Sequence, residues 1–355
     1  MVCETNGMSR RTILYAATVG ALASASAVRA QEASELRVKL STPDGSPVSG
    51  ALIALLNAKD SVVAEGLASE SGTRVLVAPR GAYRVRVRRI GYLPFVSSEL
   101  TLPHANELVL NVESPAVVLR SIVVTSTSEC SRNDPNAQAL STVWDEIDKA
   151  LRSSELTIQD LSGIGQARVY KREMSTDGTV IAGDSSVFAI TDKRPFGAVD
   201  PEMLAVNGYV VGGLEHGWSY FGPDEIVLRS DQFASTHCFR LVRERDRPGQ
   251  IGVSFEPAPK RELADISGVI WVDQSTSELR EMDFHFVNAG ALSRFDAGGF
   301  TRFRRVPSGA WLVDEWKLSV PRLGVKQTAS FPVPMRMVVV IGRQDNGGGI
   351  LRPLK

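Results

Sequence analysis

The chain has 355 residues, and its 40 basic side chains equal its 40 acidic ones, so the formal net charge is zero. This balance excludes a global electrostatic field that would favour nucleic acid or another polyanion. The length suggests two domains, and an apolar content of 43% is sufficient for packed cores.

The first thirty residues have the pattern of an export signal. Arg10 and Arg11 precede an apolar run over residues 12–28, and Val28-Arg29-Ala30 is a small-residue cleavage pattern. The run is too short to span a bilayer comfortably, so we expect residues 1–30 to be a signal peptide that is removed. The pair of arginines also resembles a twin-arginine signal, and that route and the general secretory route both stay open. The expected location is the periplasm or cell envelope, or the exterior after secretion.

Residues 31–113 have the pattern of a small all-β domain. Residues 36–40 alternate with period two, Pro43-Asp44-Gly45-Ser46-Pro47 is a turn sequence, and residues 51–56 are typical of a buried strand. Residues 83–88 and 108–112 continue the series. About seven short strands, separated by turns every eight to twelve residues, predict a β-sandwich.

This region contains three segments that together resemble a known family. They are Pro43-Asp44-Gly45-Ser46-Pro47-Val48-Ser49-Gly50-Ala51, Gly81-Ala82-Tyr83-Arg84-Val85-Arg86-Val87 and Arg89-Ile90-Gly91-Tyr92. Their order resembles the carboxypeptidase regulatory-like domain, over residues 35–113. The resemblance implies a transthyretin-like, carbohydrate-binding-like sandwich and no peptidase activity of its own. Residues 119–125 resemble the stretch that follows such domains in outer-membrane receptors, but the remaining chain is too short for receptor function to transfer.

Three arginines, Arg84, Arg86 and Arg88, lie on one side of the strand at residues 83–88, because side chains alternate between the two faces. One interpretation is a basic ladder for anionic polymers such as lipopolysaccharide phosphates. The interpretation we favour is a solvated outer face whose charges are balanced by nearby carboxylates, namely those of Glu65, Glu70 and Glu99.

A linker and a helix follow this region. Residues 114–136 are rich in Ser, Thr, Asn and Pro and are interpreted as the linker. Residues 137–153 carry charges on one face and apolar side chains at helical spacing on the other, at Leu140, Val143, Trp144, Ile147 and Leu151. We expect this helix to pack against a sheet, because it lacks the lysine-rich polar face of helices that bind membranes.

The remaining domain, residues 137–355, returns to β structure after the helix. Strand patterns occur at residues 168–174, 187–190, 238–242, 251–255, 268–272, 279–286 and 311–316. The polar segment Asp273-Gln274-Ser275-Thr276-Ser277 predicts a hairpin between two of them. Long antiparallel strands with one covering helix predict an α+β antiparallel half-barrel. The hairpin resembles strands of the lipoprotein-carrier half-barrels of the bacterial envelope, the LolA/LolB-like group. The whole protein is therefore expected to be mainly β.

Two cysteines, Cys130 and Cys238, remain after removal of the signal peptide. An even pair in a chain bound for an oxidising compartment predicts a disulfide between them. Two separate buried thiols are the alternative.

Catalytic motifs are absent or incomplete. His104 and Glu107 match the His-x-x-Glu spacing of zinc carboxypeptidases, but they fall between strands of the sandwich, and no further histidine stands at ligand spacing. Ser219 is close in sequence to His216 and Asp224, yet the last glycine of a nucleophile elbow is missing. We therefore predict no catalytic residue, no metal site and no cofactor.

Aromatic residues suggest a binding surface instead. Aromatic side chains stack on sugars and lipids as well as filling cores. Trp218, Tyr220 and Trp271 are the candidate ligand-binding residues, with Phe284 beside them on the concave face of the half-barrel.

Two classes of function are compatible with these patterns. The first is a non-catalytic exported cell-envelope protein whose β domains bind an envelope glycan, a lipid or an outer-membrane protein. The alternative is a hydrolase whose site is assembled only in three dimensions. An apolar groove without convergent titratable groups favours binding, whereas a cleft that unites His216 or His237 with acidic side chains favours catalysis.

Overall fold

The computed structural model describes residues 33–351, except 114–115, 118, 120–135, 162–164, 191–196, 198, 214–216, 291–296 and 329–334. The predicted signal peptide, most of the predicted linker and Cys130 lie outside the described residues. The chain from Ala33 onward belongs to one compact unit. Strand accounts for 54% and helix for 15%, so the protein is mainly β as predicted.

The N-terminal region contains eight strands, whose bounds are β1 Ala33–Ser41, β2 Leu52–Leu56, β3 Val62–Leu67, β4 Thr73–Pro79, β5 Gly81–Arg88, β6 Phe95–Val96, β7 Leu100–Leu102 and β8 Leu108–Asn111. They form two sheets. One has the order β4-β1-β8, and the other has the order β3-β2-β5-β6 with β7 paired to β5. The sequence predicted about seven strands. The count differs because β6 and β7 have two and three residues, too few for alternation to be visible.

Buried apolar side chains alternate with exposed ones along these strands, and the buried side chains of the two sheets pack against each other. In β1, Leu36, Val38 and Leu40 are completely buried, while the residues between them are exposed. They share one apolar cluster with Ile53 of β2 and Val85 of β5, which belong to the other sheet. Every buried member of this cluster comes from residues 36–102, so the region has a core of its own.

The C-terminal region contains one large antiparallel sheet. Its strands are β9 Gln166–Met174, β10 Val180–Ala189, β13 His237–Val242, β14 Gln250–Pro257, β15 Asp265–Asp273, β16 Leu279–Val287, β17 Gly298–Arg305, β18 Trp311–Thr328 and β19 Met335–Leu351. The order is β10-β9-β19-β18-β17-β16-β15-β14-β13, so the sheet is open and β10 and β13 are its edges. A separate hairpin is formed by β11 Val210–Gly213 and β12 Gly217–Tyr220.

Four helices accompany this sheet among the described residues: α1 Ala137–Asp160, α2 Pro201–Asn207, α3 Glu225–Leu228 and α4 Asp231–Thr236. Side chains from all four helices join one core with strands β13 to β18. The predicted single covering helix is therefore a layer of four, which covers one face of the sheet. No helix in the described ranges is long and apolar enough to cross a membrane.

Helix α1 ends at Asp160 rather than at residue 153, where the apolar pattern stops. Two buried serines interrupt that pattern, and tertiary hydrogen bonds satisfy them. Ser153 Oγ accepts from the Trp311 backbone N–H at 3.1 Å, and Ser154 Oγ donates to Glu225 at 2.7 Å. The last turns of the helix bury Leu156 and Ile158. The sequence prediction was too short because these partners lie far away in the chain.

The N-terminal region is joined to α1 by charged contacts. Arg88, the last residue of β5, pairs with Asp145 at 2.9 Å and with Asp148 at 2.8 Å. Lys149 and Glu146 are both fully buried and lie 2.7 Å apart. Because buried charges without a partner are costly, Arg88 depends on the two aspartates across the junction, whereas Glu146 and Lys149 depend on each other within α1.

Two of the three arginines that the sequence places on one side of β5 form ion pairs within the protein. Arg84 pairs with Asp60, and Arg88 pairs with the aspartates of α1 described above. The expected carboxylate Glu65 instead pairs with Arg152 of α1. Two of the three arginines are thus neutralised within the protein, and the acids that neutralise them differ from those that the sequence suggested.

Candidate functional site

The best candidate for a catalytic pair is His237 with Asp265, the first residues of β13 and β15. His237 Nε2 lies 3.1 Å from Asp265 Oδ1, and both side chains are completely buried. The second carboxylate oxygen pairs with Arg261, and the Ile266 backbone N–H donates to Oδ1 at 2.8 Å. Burial acts to raise the pKa of Asp265, but hydrogen bonds from His237 and Arg261 hold it below its ordinary value.

This pair is enclosed by the core rather than open to a substrate. The ring of Phe233 lies 4.1 Å from the His237 ring, and His237 Nδ1 is 3.2 Å from the Phe233 carbonyl oxygen. Arg261 also donates to the carbonyl oxygens of Leu204 and Ala205, at the end of α2. Neither His237 nor Asp265 lines either of the two cavities described below. The cluster therefore fastens α2 and α4 to the sheet.

Of the sequence-adjacent group of Ser219, His216 and Asp224, the structure describes Ser219 and Asp224. Ser219 lies on the exposed side of β12. Asp224 is buried and caps α3, because its Oδ1 accepts from the Val227 backbone N–H at 2.9 Å. His216 lies outside the described residues.

His104 and Glu107 lie in the loop between β7 and β8. Within the described ranges, no group of three or more His, Cys, Asp or Glu side chains is placed to hold a metal ion.

Trp218 and Tyr220 lie on the same side of β12 and are both half-buried. The Tyr220 ring packs against Phe286 at 5.6 Å, and Phe286 contacts Phe284 at 5.9 Å. The Tyr220 hydroxyl is buried and has no hydrogen-bond partner in the described part of the chain, and burial raises its pKa to about 12. Tyr220 and Phe284 therefore belong to the core beneath the helices, with Trp218 next to them on β12.

Trp271 lies apart from these residues, on the opposite face of the sheet. Its strand neighbours Ile270 and Val272 point into the core under the helices, and alternation places Trp271 on the other side. The ring is only 1% exposed, because the Arg247 guanidinium stacks over it at 4.7 Å. Its Nε1 donates to Asp283 at 2.9 Å. The predicted aromatic set therefore does not form one surface, and Trp271 is not open to a ligand.

A large open groove has a volume of about 1080 Å³. One wall is the end of β3 and the loop that follows it, from Leu67 to Glu70. The second wall is the C-terminal turn of α1, with Thr157 and Asp160. The third is the turn between β17 and β18, residues 304–312. The groove therefore lies where three segments distant in sequence meet.

The surface of this groove is mainly apolar. Leu67 and Ala310 belong to one buried cluster with Leu52 and Leu156, and Leu312 is 1% exposed. Two of the charged groups at the groove pair with each other, since Arg74 lies 3.1 Å from Asp160. No histidine or cysteine is among the described residues that line it. These properties suit the binding of an apolar ligand better than acid–base chemistry.

Sequence patterns gave no signal for this groove. Its lining is made of ordinary aliphatic and small residues, each of which has a local explanation as part of a strand, a helix or a turn. The aromatic residues were more conspicuous, but packing against their own neighbours accounts for Tyr220 and Trp271.

The protein is thus mainly β, with an N-terminal two-sheet domain and an apolar groove beside it. Comparison with family models identifies residues 35–114 as matching the carboxypeptidase regulatory-like domain. This confirms the resemblance predicted for residues 35–113. A comparison with the curated proteins finds no match.

Proposed function

We propose that the protein is a non-catalytic, exported cell-envelope protein that binds an apolar ligand, such as a lipid or the apolar part of an envelope glycolipid, in the groove beside its N-terminal domain. The observation that carries this proposal is the groove itself, which is large and mainly apolar, and whose described lining residues include no histidine or cysteine. Its volume of about 1080 Å³ lies just above the usual range for ligand pockets, roughly 300 to 1,000 Å³.

The matched domain supports a binding role, because domains of this type often serve in binding or protein interaction. Its loop at Ala68, Ser69 and Glu70 forms part of the groove wall. The domain therefore contributes directly to the proposed site. An envelope glycan or an outer-membrane protein remains a second kind of partner for its outer surface.

The alternative, a hydrolase, has less support. A general base must reach the proton that it abstracts in a plausible substrate pose. His237 is enclosed beside Asp265 in the core, and its exposed fraction is 0%. Binding without catalysis therefore explains more of the described residues than hydrolysis does.

The groove is tested with an apolar fluorescent probe, N-phenyl-1-naphthylamine, and two matched substitutions. Val306→Glu places a carboxylate in the groove lining, whereas Val187→Glu places one on the exposed strand β10. We expect V306E to weaken probe binding by roughly tenfold or more, because a charge in an apolar site loses hydration. V187E should bind as the unchanged protein does. Equal affinity in both variants, or no probe binding at all, would contradict the proposal.

Natural ligands are sought by thermal-shift screening against lipids and envelope glycans, because a ligand that binds the native state raises its apparent stability. A hit that protects the unchanged protein but not V306E would place that ligand in the groove. A hit that protects both variants equally would place it elsewhere.

Export and disulfide formation are part of the proposal. Residues 1–30 carry the signal pattern, and Cys238 lies buried in β13. We propose that Cys130 is its partner, with the two Cα atoms within about 7 Å of each other. Mass spectrometry of the unreduced protein from the periplasm tests both points. Cleavage near Gln31 and a linked pair of peptides are expected, and a thiol-labelled Cys130 would contradict the bond.

We also propose that the nine-stranded sheet is a half-barrel that curves around the helical layer. Its support is the single core in which α1 to α4 all join the same face of the sheet. A crystal structure with a flat sheet would contradict this architecture.

A further inference from the structure

A second cavity, of about 260 Å³, lies between the N-terminal domain and the turn of the β15–β16 hairpin. It is smaller than the groove and its chemistry differs, because polar atoms contribute most of its lining. The domain supplies Ser49, Gly50 and the loop at residues 89–92. The other side consists of residues 275–278 together with Arg305, Gly309 and Trp311.

Close backbone contacts define the walls of this cavity. Gly50 has φ +66, and a Cβ atom there would stand 2.3 Å from the backbone of Gly309, so only glycine allows this approach. At the other side, a Cβ on Gly91 would lie 3.4 Å from the Thr276 carbonyl oxygen. The chain then returns past the cavity, where the Val117 backbone N–H donates to the Gly91 carbonyl at 2.7 Å.

Two arginines give the cavity an excess of positive charge. Among the described residues, no carboxylate forms an ion pair with Arg89, whose guanidinium lies over the Tyr92 ring at 4.7 Å. Arg305 has only a long contact of 3.7 Å with Glu278, and that carboxylate lies closer, at 3.2 Å, to Arg280. The described lining therefore has two guanidinium groups and one carboxylate, and that carboxylate lies closer to Arg280 than to either of them.

Hydroxyl groups complete the lining. Ser49, Ser275, Thr276 and Ser277 all border the cavity, and Ser277 is only 2% exposed. Hydroxyls both donate and accept hydrogen bonds, whereas guanidinium groups only donate and match the fork of a carboxylate or phosphate. The combination suits a ligand that carries both an oxyanion and several hydroxyl groups.

We propose that this cavity binds a monosaccharide-sized polyol that bears an oxyanion, either a uronic acid or a sugar phosphate. The oxyanion would lie between Arg89 and Arg305, and the sugar hydroxyls would face the serine and threonine side chains. Charge-assisted hydrogen bonds to arginine supply the affinity, and the small volume limits the ligand to about one sugar ring. Arg305 lines both this cavity and the apolar groove, but the proposal does not depend on the function proposed for the groove.

Isothermal titration of the purified protein with three sugars tests the ligand class. Glucuronate and glucose 6-phosphate carry the two oxyanions, and glucose is the neutral control. At least one anion is expected to bind and to weaken as ionic strength rises, because salt screens the attraction. The anion that binds more tightly identifies the source. Equal binding of glucose, or no binding of either anion at millimolar concentrations, would overturn the proposal.

Two arginine substitutions test the position of the ligand. Arg84 lies within β5, and Arg89 directly follows that strand. Arg89→Gln removes an arginine from the cavity, whereas Arg84→Gln removes one that is paired with Asp60 elsewhere on the domain. We expect R89Q to weaken binding of the anion by about 10- to 100-fold, the usual effect of losing a charge-assisted hydrogen bond, and R84Q to leave it unchanged. Unchanged affinity in R89Q, or an equal loss in R84Q, would overturn the proposal.

A folding defect is separated from a binding defect by circular dichroism and by the apolar probe. R89Q should retain the unchanged protein's spectrum and its affinity for N-phenyl-1-naphthylamine, because Arg89 does not line the groove. If R89Q does not fold, Arg305→Gln decides the question with the same expected loss of anion binding. Anion binding that survives R305Q would then overturn the site.

Discussion

The backbone N–H of Gly91 donates a 2.7 Å hydrogen bond to Glu146 Oε2, which joins a loop of the N-terminal domain to helix α1. The other carboxylate oxygen of Glu146 binds Lys149 at 2.7 Å, and Lys149 in turn donates to the Tyr92 carbonyl at 2.9 Å. Both charged side chains are fully buried. The loop that carries the family's Ile-Gly-Tyr pattern is therefore held by a buried ion pair of the helix.

This ion pair predicts strong coupling between Glu146 and Lys149. Glu146→Leu should destabilise the protein by about 3 to 5 kcal/mol, because it leaves a buried ammonium group with fewer partners. The double substitution Glu146→Leu with Lys149→Met should cost less than the sum of the two single changes. Urea unfolding of the unchanged protein, the two single variants and the double variant gives the four free energies of unfolding that the comparison needs. Additive effects would contradict the coupling.

The buried acid Asp265 is predicted to be structural. Asp265→Asn should lower the free energy of unfolding by about 3 to 5 kcal/mol, because Arg261 and His237 lose a buried charged partner. Ligand binding in either cavity should persist at temperatures where the variant is folded. Denaturant unfolding and probe titration test the two statements, and loss of binding in a fully folded D265N protein would argue against the structural role.

Acid is predicted to weaken the protein through Asp148 and Asp265. Burial acts to raise the pKa of Asp148, but the Arg229 and Arg88 guanidinium groups hold it below its ordinary value of 3.8. A carboxyl with a lowered folded pKa stabilises the protein above its unfolded pKa, and this stabilisation is lost as pH falls through the folded value. Unfolding free energies at pH 7, 5, 4 and 3 should therefore decline below about pH 4.

A substitution isolates the contribution of Asp148 to this decline. Asp148→Asn should have a shallower decline between pH 5 and pH 3, while Asp246→Asn, in an exposed loop, should follow the unchanged protein. Glu146 acts in the opposite direction, since burial raises its pKa and its protonation in acid favours the folded state. An identical pH profile in D148N would contradict the assignment.

The two tryptophans are predicted to differ in their effects. Trp271→Ala should destabilise the protein by about 3 to 5 kcal/mol, because the ring is buried beneath Arg247. Trp218→Ala, at a half-buried position of the β11–β12 hairpin, should cost about 1 kcal/mol or less. Thermal unfolding measures both. Neither change should alter probe binding in the groove, and a loss with W218A would favour the aromatic surface.

The N-terminal domain is predicted to fold alone. Residues 31–112 contain an entire apolar core that joins both sheets. The isolated fragment should give a β-type circular dichroism spectrum and a cooperative thermal transition. In the whole protein, Leu52 and Leu67 are buried against α1 and the β17–β18 turn. They become exposed in the fragment and should lower its solubility. A disordered spectrum would contradict independent folding.

Local periodicity in the sequence was sufficient to predict the class of most elements. The alternation of β1 and β5, the helical spacing at the start of α1 and the turn between β15 and β16 all appear in the structure. These patterns are readable because a residue's burial repeats every two positions in a strand and every 3.6 in a helix. The family resemblance was also readable, because it depends on turn glycines and strand residues close together in the chain.

Only the tertiary structure decided which distant residues meet. Residues 268–272 are almost continuously apolar, so alternation could not assign Trp271 to a face, and strand pairing places it opposite the helices. Asp265 stands 28 residues from His237 in sequence, and Asp148 stands 60 from Arg88, separations at which no local pattern predicts contact. The two cavities arise in the same way, because each is bounded by segments that only the packing of one region against another brings together.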